Sequence, residues 1–155
     1  MLDQQRQMRA LTVSTCHTAT VAAERELRLR YHHAIYAALD KHVMLDQQRQ
    51  MRALTDMLDA EKKEVLSRLA NDRNKEVKAL AKKTNRDKDE ILRIKREIHS
   101  QSVERGVAEC SQLEQAYAAR REALARAHER LRNELQRHRD QELLELERLC
   151  GPPEG

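Results

Sequence analysis

The chain has no phenylalanine or tryptophan, and its 155 residues include only three tyrosines, three glycines and two prolines. A two-layer globular core needs aromatic and β-branched residues inside and glycine or proline at its turns, so this composition argues against one. No apolar run approaches the roughly eighteen residues of a membrane-spanning helix. With 36% of its residues charged, the chain instead has the composition typical of long helices and coiled coils.

Disorder is the alternative for a chain so polar. The 30 basic and 26 acidic residues leave a net charge of only +4, which is too low to keep a chain of this length expanded. The apolar residues also recur periodically, which disordered segments do not require. The sequence therefore favours an all-α protein.

Residues that carry catalysis or hold metals are not grouped in the sequence. Three cysteines (Cys16, Cys110 and Cys150) have no metal-type spacing and are odd in number, so we expect an intracellular setting without a disulfide framework. The histidines at 32, 33 and 42 are expected to be exposed and not to bind metal, because adjacent helical residues point about 100° apart. Phosphate-binding loops and nucleophile elbows are also missing, so we expect no catalysis, cofactor or metal in this segment.

An eleven-residue apolar repeat runs from Leu58 almost to the end of the chain. Eleven residues in three turns is about 3.67 per turn, so the apolar stripe stays on one side of a nearly straight helix. A long helix with one apolar side needs a partner helix, and we predict long helices forming an elongated, hendecad-type coiled-coil bundle. Ser102 is the polar member of the repeat, and the predicted coiled-coil seam consists of Leu58, Leu69, Leu80, Ile91, Leu113, Leu124, Leu135 and Leu146.

Three segments are predicted along the chain. Residues 1–12 recur letter for letter at 44–55, and residues 13–20 are rich in hydroxyl and β-branched side chains that disfavour helix interiors. Residues 1–20 are therefore predicted to be a poorly ordered N-terminal segment, and residues 21–149 to be the coiled-coil domain. Residues 150–155 contain both prolines and two glycines, and we interpret them as a tail that stops the helix.

The apolar pattern before residue 44 predicts a re-phased helix from about 21 to 55. Counting back from Leu58 in elevens reaches polar or aromatic residues, namely Gln47, Tyr36 and Arg25. A different stripe, spaced by four, has aliphatic side chains at all positions but one, which is a tyrosine: Leu27, Tyr31, Ile35, Leu39 and Val43. We therefore expect this second stripe to be the packed face, with a joint somewhere in 44–55.

Two further places could turn the chain. Residues 82–90 are polar, with Thr84 or Asn85 available as a helix N-cap. The repeat nevertheless passes undisturbed from Leu80 to Ile91, so the sequence favours a continuous helix there. Residues 100–106 end in Gly106, which costs a helix roughly 1 kcal/mol relative to alanine, and a kink, a close helix crossing and a hairpin turn all remain open at that site.

Basic residues are concentrated in 73–96, where ten basic residues accompany four acidic ones. On a continuous helix they occupy about one quadrant, opposite the apolar stripe. We predict a membrane- or partner-binding basic face formed by Arg68, Lys75, Lys78, Lys82, Arg86, Arg93 and Arg96. A purely structural, oligomerising coiled coil with a solvated charged face remains the alternative, and specific nucleic-acid binding is not expected because base-stacking aromatic residues are lacking.

Residues 90–103 (EILRIKREIHSQSV) and 112–121 (QLEQAYAARR) resemble the distal C-terminal coiled-coil domain of the phospholipase C-beta family. The resemblance extends over residues 21–149, although the duplicated dodecapeptide departs from it. It implies a long helical domain related in shape to BAR proteins. It also implies an antiparallel homodimer, while the apolar stripe by itself would serve helix pairing within one chain equally well.

The same resemblance implies a regulatory role without catalysis. The basic face would lie toward an anionic phosphoinositide membrane, at the cytoplasmic side of the plasma membrane, and the domain would contact a G protein α subunit of the q class. In that family the catalytic and calcium-binding residues belong to a barrel domain that this chain does not contain. The resemblance therefore transfers no catalytic residue and no cofactor to this segment of a phosphoinositide-specific phospholipase C.

Overall fold

A computed structural model describes residues 2–83 and 87–150, the last of these for its backbone only. This part of the chain consists of two long helices, α1 (Leu2–Ala81) and α2 (Lys88–Cys150), and it contains no strand. The all-α prediction is confirmed. Of the predicted tail at 150–155, Cys150 is the last residue of α2, and residues 151–155 lie outside the described residues.

The chain divides into two compact units, and each contains a stretch of both helices. Unit 1 comprises Met1–Asp46 and His128–Gly155, and unit 2 comprises Gln47–Ala127. In unit 2, Lys62 of α1 pairs with Glu114 of α2, and Arg68 pairs with Glu109. Because the α2 partner moves back along the chain as α1 advances, the helices in unit 2 are antiparallel, which confirms that the predicted long helices pair with each other.

The predicted continuous helix through residues 82–90 is wrong, because α1 ends at Ala81 and α2 begins at Lys88. The amide of Lys83 donates to the carbonyl oxygen of Leu80 at 3.1 Å, which tightens the last turn of α1. The amide of Ile91 donates to the carbonyl oxygen of Asp87 at 3.0 Å, and acidic side chains at 89 and 90 favour a helix start there. The predicted N-caps Thr84 and Asn85 lie outside the described residues.

The first helix begins nineteen residues before the predicted start at 21, because residues 2–20 belong to α1. The threonine hydroxyls in this stretch donate to carbonyl oxygens four residues earlier, as Thr15 does to Leu11 at 2.8 Å and Thr18 does to Ser14 at 2.9 Å. Such back-bonding satisfies the hydroxyl without breaking the helix. Every one of residues 2–20 is exposed. Their description as a separate N-terminal segment stays a prediction.

The predicted re-phasing before residue 44 is also wrong. Helix α1 has no joint in 44–55. Tyr36, which lies two eleven-residue repeats before Leu58, is only 6% exposed. Most of the stripe that the sequence favoured is exposed instead: Leu27, Tyr31 and Ile35 are 56%, 69% and 53% exposed and Leu39 is 40% exposed, while Val43 is half-buried. Tyrosine can bury its ring and still satisfy its hydroxyl, so a seam need not be aliphatic.

The seam residues predicted from the repeat lie on the inner sides of the helices. In unit 2, Leu58, Leu69 and Leu80 are buried, at 9%, 7% and 7% exposure. Burying such a side chain contributes roughly 1.5–3 kcal/mol. The other seam residues are half-buried, in unit 2 at Ile91, Leu113 and Leu124 and in unit 1 at Leu135 and Leu146.

Gly106 lies where the two helices of unit 2 approach each other, and it is buried within α2. A Cβ atom built on it would lie 3.5 Å from Leu66 Cδ2 and 3.6 Å from Leu69 Cδ1. Of the three alternatives left open by the sequence, the close helix crossing is therefore present. The hairpin turn is not, since α2 continues through this residue.

Candidate functional site

The predicted basic residues gather in unit 2, around the point where α1 ends and α2 begins. Lys75, Lys78 and Lys82 lie in the last turns of α1 and at its end, while Arg93 and Arg96 lie in the first turns of α2. All five side chains are exposed. Arg86, predicted with them, lies outside the described residues.

Arg68 differs from the other predicted basic residues because its charge is already paired. Its Nη2 donates to Glu109 Oε2 of α2 at 2.6 Å. This contact joins the helices of unit 2, so Arg68 serves the helix pair rather than a free positive surface. An exposed ion pair of this kind contributes about 0–1 kcal/mol.

The turn divides the predicted basic face between two helices. Lys78 follows Leu69 by nine residues, or two and a half helical turns, so it points away from the buried side of α1. Arg93 precedes the half-buried Ser102 by nine residues and points away from the buried side of α2 in the same way. The basic face predicted on one continuous helix is therefore divided into two groups of residues, one on the outer side of α1 and one on the outer side of α2.

A mixed polar and aromatic cluster supports the helix pair of unit 2 next to the seam. Lys62 Nζ donates a hydrogen bond to Glu114 Oε1, and this bond raises the pKa of Lys62. Tyr117 is 2% exposed, and burial, followed by the nearby Glu61 carboxylate, raises the pKa of its hydroxyl. The guanidinium carbon of Arg120 lies 4.8 Å from the Tyr117 ring centre, as in a cation–π contact.

Unit 1 is held by a polar seam that sequence reasoning missed. Arg139 of α2 pairs with Asp40 of α1, donates to the carbonyl oxygen of Tyr36 at 3.3 Å and lies 5.3 Å from the Tyr36 ring centre. Burial, and then the hydrogen bond to Glu142, raise the pKa of Tyr36. The eleven-residue count back from Leu58 reaches Tyr36, and that was the signal that could have found it.

His32 belongs to the same seam, and the prediction that it is exposed is wrong. It is 5% exposed, and its Nε2 donates to the carbonyl oxygen of Arg139 at 3.2 Å. His33 and His42 are exposed. Among the residues that the structure describes, no group of three or more histidine, cysteine or acidic side chains is placed to hold a metal ion.

A shallow apolar groove of about 310 Å³ lies beside Gly106 in unit 2. Its lining includes Leu66, Ala70, Val103 and Val107, together with the half-buried, free Cys110. These side chains offer apolar contact, with Ser102 and Arg73 as the polar members of the lining. The groove therefore suits packing against another apolar surface better than acid–base chemistry.

Neither described helix has a stretch apolar enough to cross a lipid bilayer.

The chain is similar to a curated relative from Drosophila melanogaster, "1-phosphatidylinositol 4,5-bisphosphate phosphodiesterase classes I and II", at 41% identity over 126 residues. The similarity covers 81% of this chain and 9% of that protein, so the chain spans less than a tenth of its relative's length. No family model matches the chain. No solved structure matches it either. The similarity supports a relationship between this chain and a segment of a phosphoinositide phospholipase C.

Proposed function

We propose that this chain is a non-catalytic regulatory segment of a phosphoinositide-specific phospholipase C of the beta type. It associates with the anionic, phosphoinositide-containing surface of the plasma membrane from the cytoplasmic side. The observation that carries the proposal is the set of exposed basic residues near the turn of unit 2, in a chain 41% identical to a phosphoinositide phosphodiesterase. Each such residue close to an anionic leaflet contributes about 1 kcal/mol.

Co-sedimentation with vesicles tests this proposal. We expect the full chain to bind phosphatidylcholine vesicles that contain phosphatidylserine and phosphatidylinositol 4,5-bisphosphate, and to release them at high salt, because salt screens exposed charges. Reversing the five described basic residues to glutamate should abolish binding. The matched control reverses five exposed arginines elsewhere on α2, Arg121, Arg126, Arg130, Arg132 and Arg148. Absence of binding by the unmodified chain, or binding that survives the five reversals, would refute the proposal.

The proposed protein partner is a G protein α subunit of the q class, as the family resemblance implies. We expect the chain to retain that subunit in its activated, GTP-bound form more strongly than in its GDP-bound form. A pull-down with both forms tests this expectation, and equal or absent retention contradicts it. No cofactor is proposed for this segment.

A second candidate is a structural coiled coil that forms homodimers, with its charged face solvated. The exposed stripe in unit 1, which includes Leu27, Tyr31 and Ile35, favours this candidate because apolar side chains in a row gain free energy when a partner helix covers them. Light scattering over a range of concentrations would detect the dimer. A chain that dimerises but ignores anionic vesicles would fit this candidate and not the first.

A further inference from the structure

The two groups of basic residues near the turn of unit 2 differ in what surrounds them. The α1 flank is formed by Lys75, Lys78 and Lys82. The α2 flank is formed by Arg93 and Arg96. All five side chains are exposed, so the comparison depends on their direction and on the acidic residues beside them.

On the α1 flank only Lys75 has acidic residues near its own direction, namely Asp72, three residues and about 60° away, and Glu64, eleven residues and about 20° away. Lys78 and Lys82 have no acidic residue of α1 within about 60° and eleven residues. Lys75 and Lys82 lie within about 60° of Lys78 around the axis. Between residues 65 and 83, α1 has acidic side chains only at Asp72 and Glu76, which lie about 60° and 20° from the direction of Leu69 and so belong to the inner half. Within the described residues, no ion pair involves the three lysines of this flank.

The α2 flank has acidic residues on the same side of its own helix, although among the described residues Arg93 and Arg96 form no ion pair either. Asp89 and Glu97 each lie four residues from Arg93, and Glu104 lies eleven residues from it. These spacings put all three carboxylates within about 40° of Arg93 around the axis. All three are exposed, so an anionic surface that approaches Arg93 also meets acidic side chains of its own sign.

One flat surface cannot reach both flanks. Packed helices lie about 8–10 Å apart and each is about 10–12 Å wide, so the outer sides of the pair are separated by roughly 20 Å. The field of an exposed charge decays over about 8 Å at physiological salt. A membrane on one side therefore senses little of the other side.

We infer that the anionic lipid surface is bound by the α1 flank alone, through Lys75, Lys78 and Lys82, and that Arg93 and Arg96 take no part in lipid binding. This inference rests on the proposed membrane association and specifies which side of unit 2 makes it. The basic face predicted from the sequence would instead bind lipid through the α1 flank and the α2 flank together.

Two double variants of equal charge change test the inference on the full chain, with the vesicles described above. Lys78→Glu with Lys82→Glu should weaken vesicle binding about 25-fold or more, because each basic residue near an anionic leaflet contributes about a fivefold factor. Arg93→Glu with Arg96→Glu should change it by less than about twofold, since those charges lie roughly 20 Å from the lipid. Circular dichroism of both variants checks that the helices remain.

The outcomes separate the inference from the proposal on which it rests. If the unmodified chain binds no vesicles, both fail together. If it binds and the two double variants lose affinity equally, membrane association stands and the one-sided inference is overturned. If the chain binds duplex DNA at physiological salt as tightly as vesicles, with the same dependence on Lys78 and Lys82, the assignment to lipid is overturned.

Discussion

At the scale of single residues, the interior of each unit depends on a few side chains with unlike chemistry. Unit 2 buries Leu58, Leu69 and Leu80, together with Tyr117. Unit 1 buries Tyr36 and His32; the carbonyl oxygen of Arg139 accepts a hydrogen bond from His32, and the Arg139 guanidinium donates one to the carbonyl oxygen of Tyr36. A pair of helices has a narrow interior, so a tyrosine or histidine placed there keeps one edge close to polar groups.

Alkaline pH is expected to destabilise the protein, with Tyr117 as one cause. Its pKa is raised above the usual 10.0 by burial, so the unfolded chain loses this proton at a lower pH than the folded chain. Stability is unaffected below about pH 10 and falls as the pH rises through the raised pKa. The raised pKa values of Tyr36 and Lys62 act in the same direction.

Thermal unfolding followed by circular dichroism between pH 8 and 11 measures this effect. Tyr117→Phe should flatten the fall in Tm above about pH 10, because phenylalanine has no proton to lose. Tyr31→Phe is the matched control, since Tyr31 is 69% exposed and its hydroxyl meets solvent in both states. Identical profiles for the two variants would show that Tyr117 is not responsible.

At the scale of helices, the eleven-residue repeat predicted the inner sides of α1 and α2 because side-chain direction in a helix follows from spacing alone. It could not reveal the turn, since Leu80 and Ile91 are eleven residues apart and both face inward in unit 2, on different helices. The candidate basic face was predicted as one surface for the same reason. Only the turn between Ala81 and Lys88 separates its two parts.

The polar seam of unit 1 could not be predicted from apolar periodicity. Leu27 and Ile35 have the stronger apolar pattern and face solvent, while Tyr36 and His32 pack inside. Helix α1 has no break in 44–55, and the buried side of residues 21–46 follows the eleven-residue spacing back from Leu58 and not the stronger apolar pattern. A partner outside this chain is what the exposed stripe would need.

Gly106 offers a test of how closely the two helices of unit 2 pack. Gly106→Ala should raise the free energy of unfolding by about 0.5–1 kcal/mol, because alanine is the better helix former and its Cβ would meet Leu66 and Leu69 at ordinary contact distances of 3.5 and 3.6 Å. Gly106→Leu should lower it by about 1–3 kcal/mol, since a larger side chain overpacks the crossing. Urea denaturation measures both changes. A destabilising alanine would mean that the helices lie closer than described.

At the scale of the whole molecule, stability is expected to be uneven along α1. Residues 2–20 have no buried side chain, residues 21–46 pack through a polar seam, and residues 56–80 bury leucines. Local opening costs least where few apolar contacts are lost. Amide hydrogens should therefore exchange fastest in 2–20, more slowly in 21–46 and slowest in 56–80.

Hydrogen exchange measured by mass spectrometry on the full chain gives this order directly. Peptides from α2 that cover residues 109–117 serve as an internal reference. They contain the half-buried Leu113 and the buried Tyr117 and should be protected like 56–80. Equal protection across α1 would contradict the proposed difference between the two seams.

The two copies of the duplicated dodecapeptide differ in how far their apolar side chains are exposed to solvent. Met8 and Leu11 of the first copy are 70% and 68% exposed, whereas their counterparts Met51 and Leu54 are half-buried. An antibody that recognises the methionine and leucine side chains of this sequence would therefore bind only the first copy on the native chain and both copies after denaturation. Two segments of identical sequence thus present different surfaces to a binding partner.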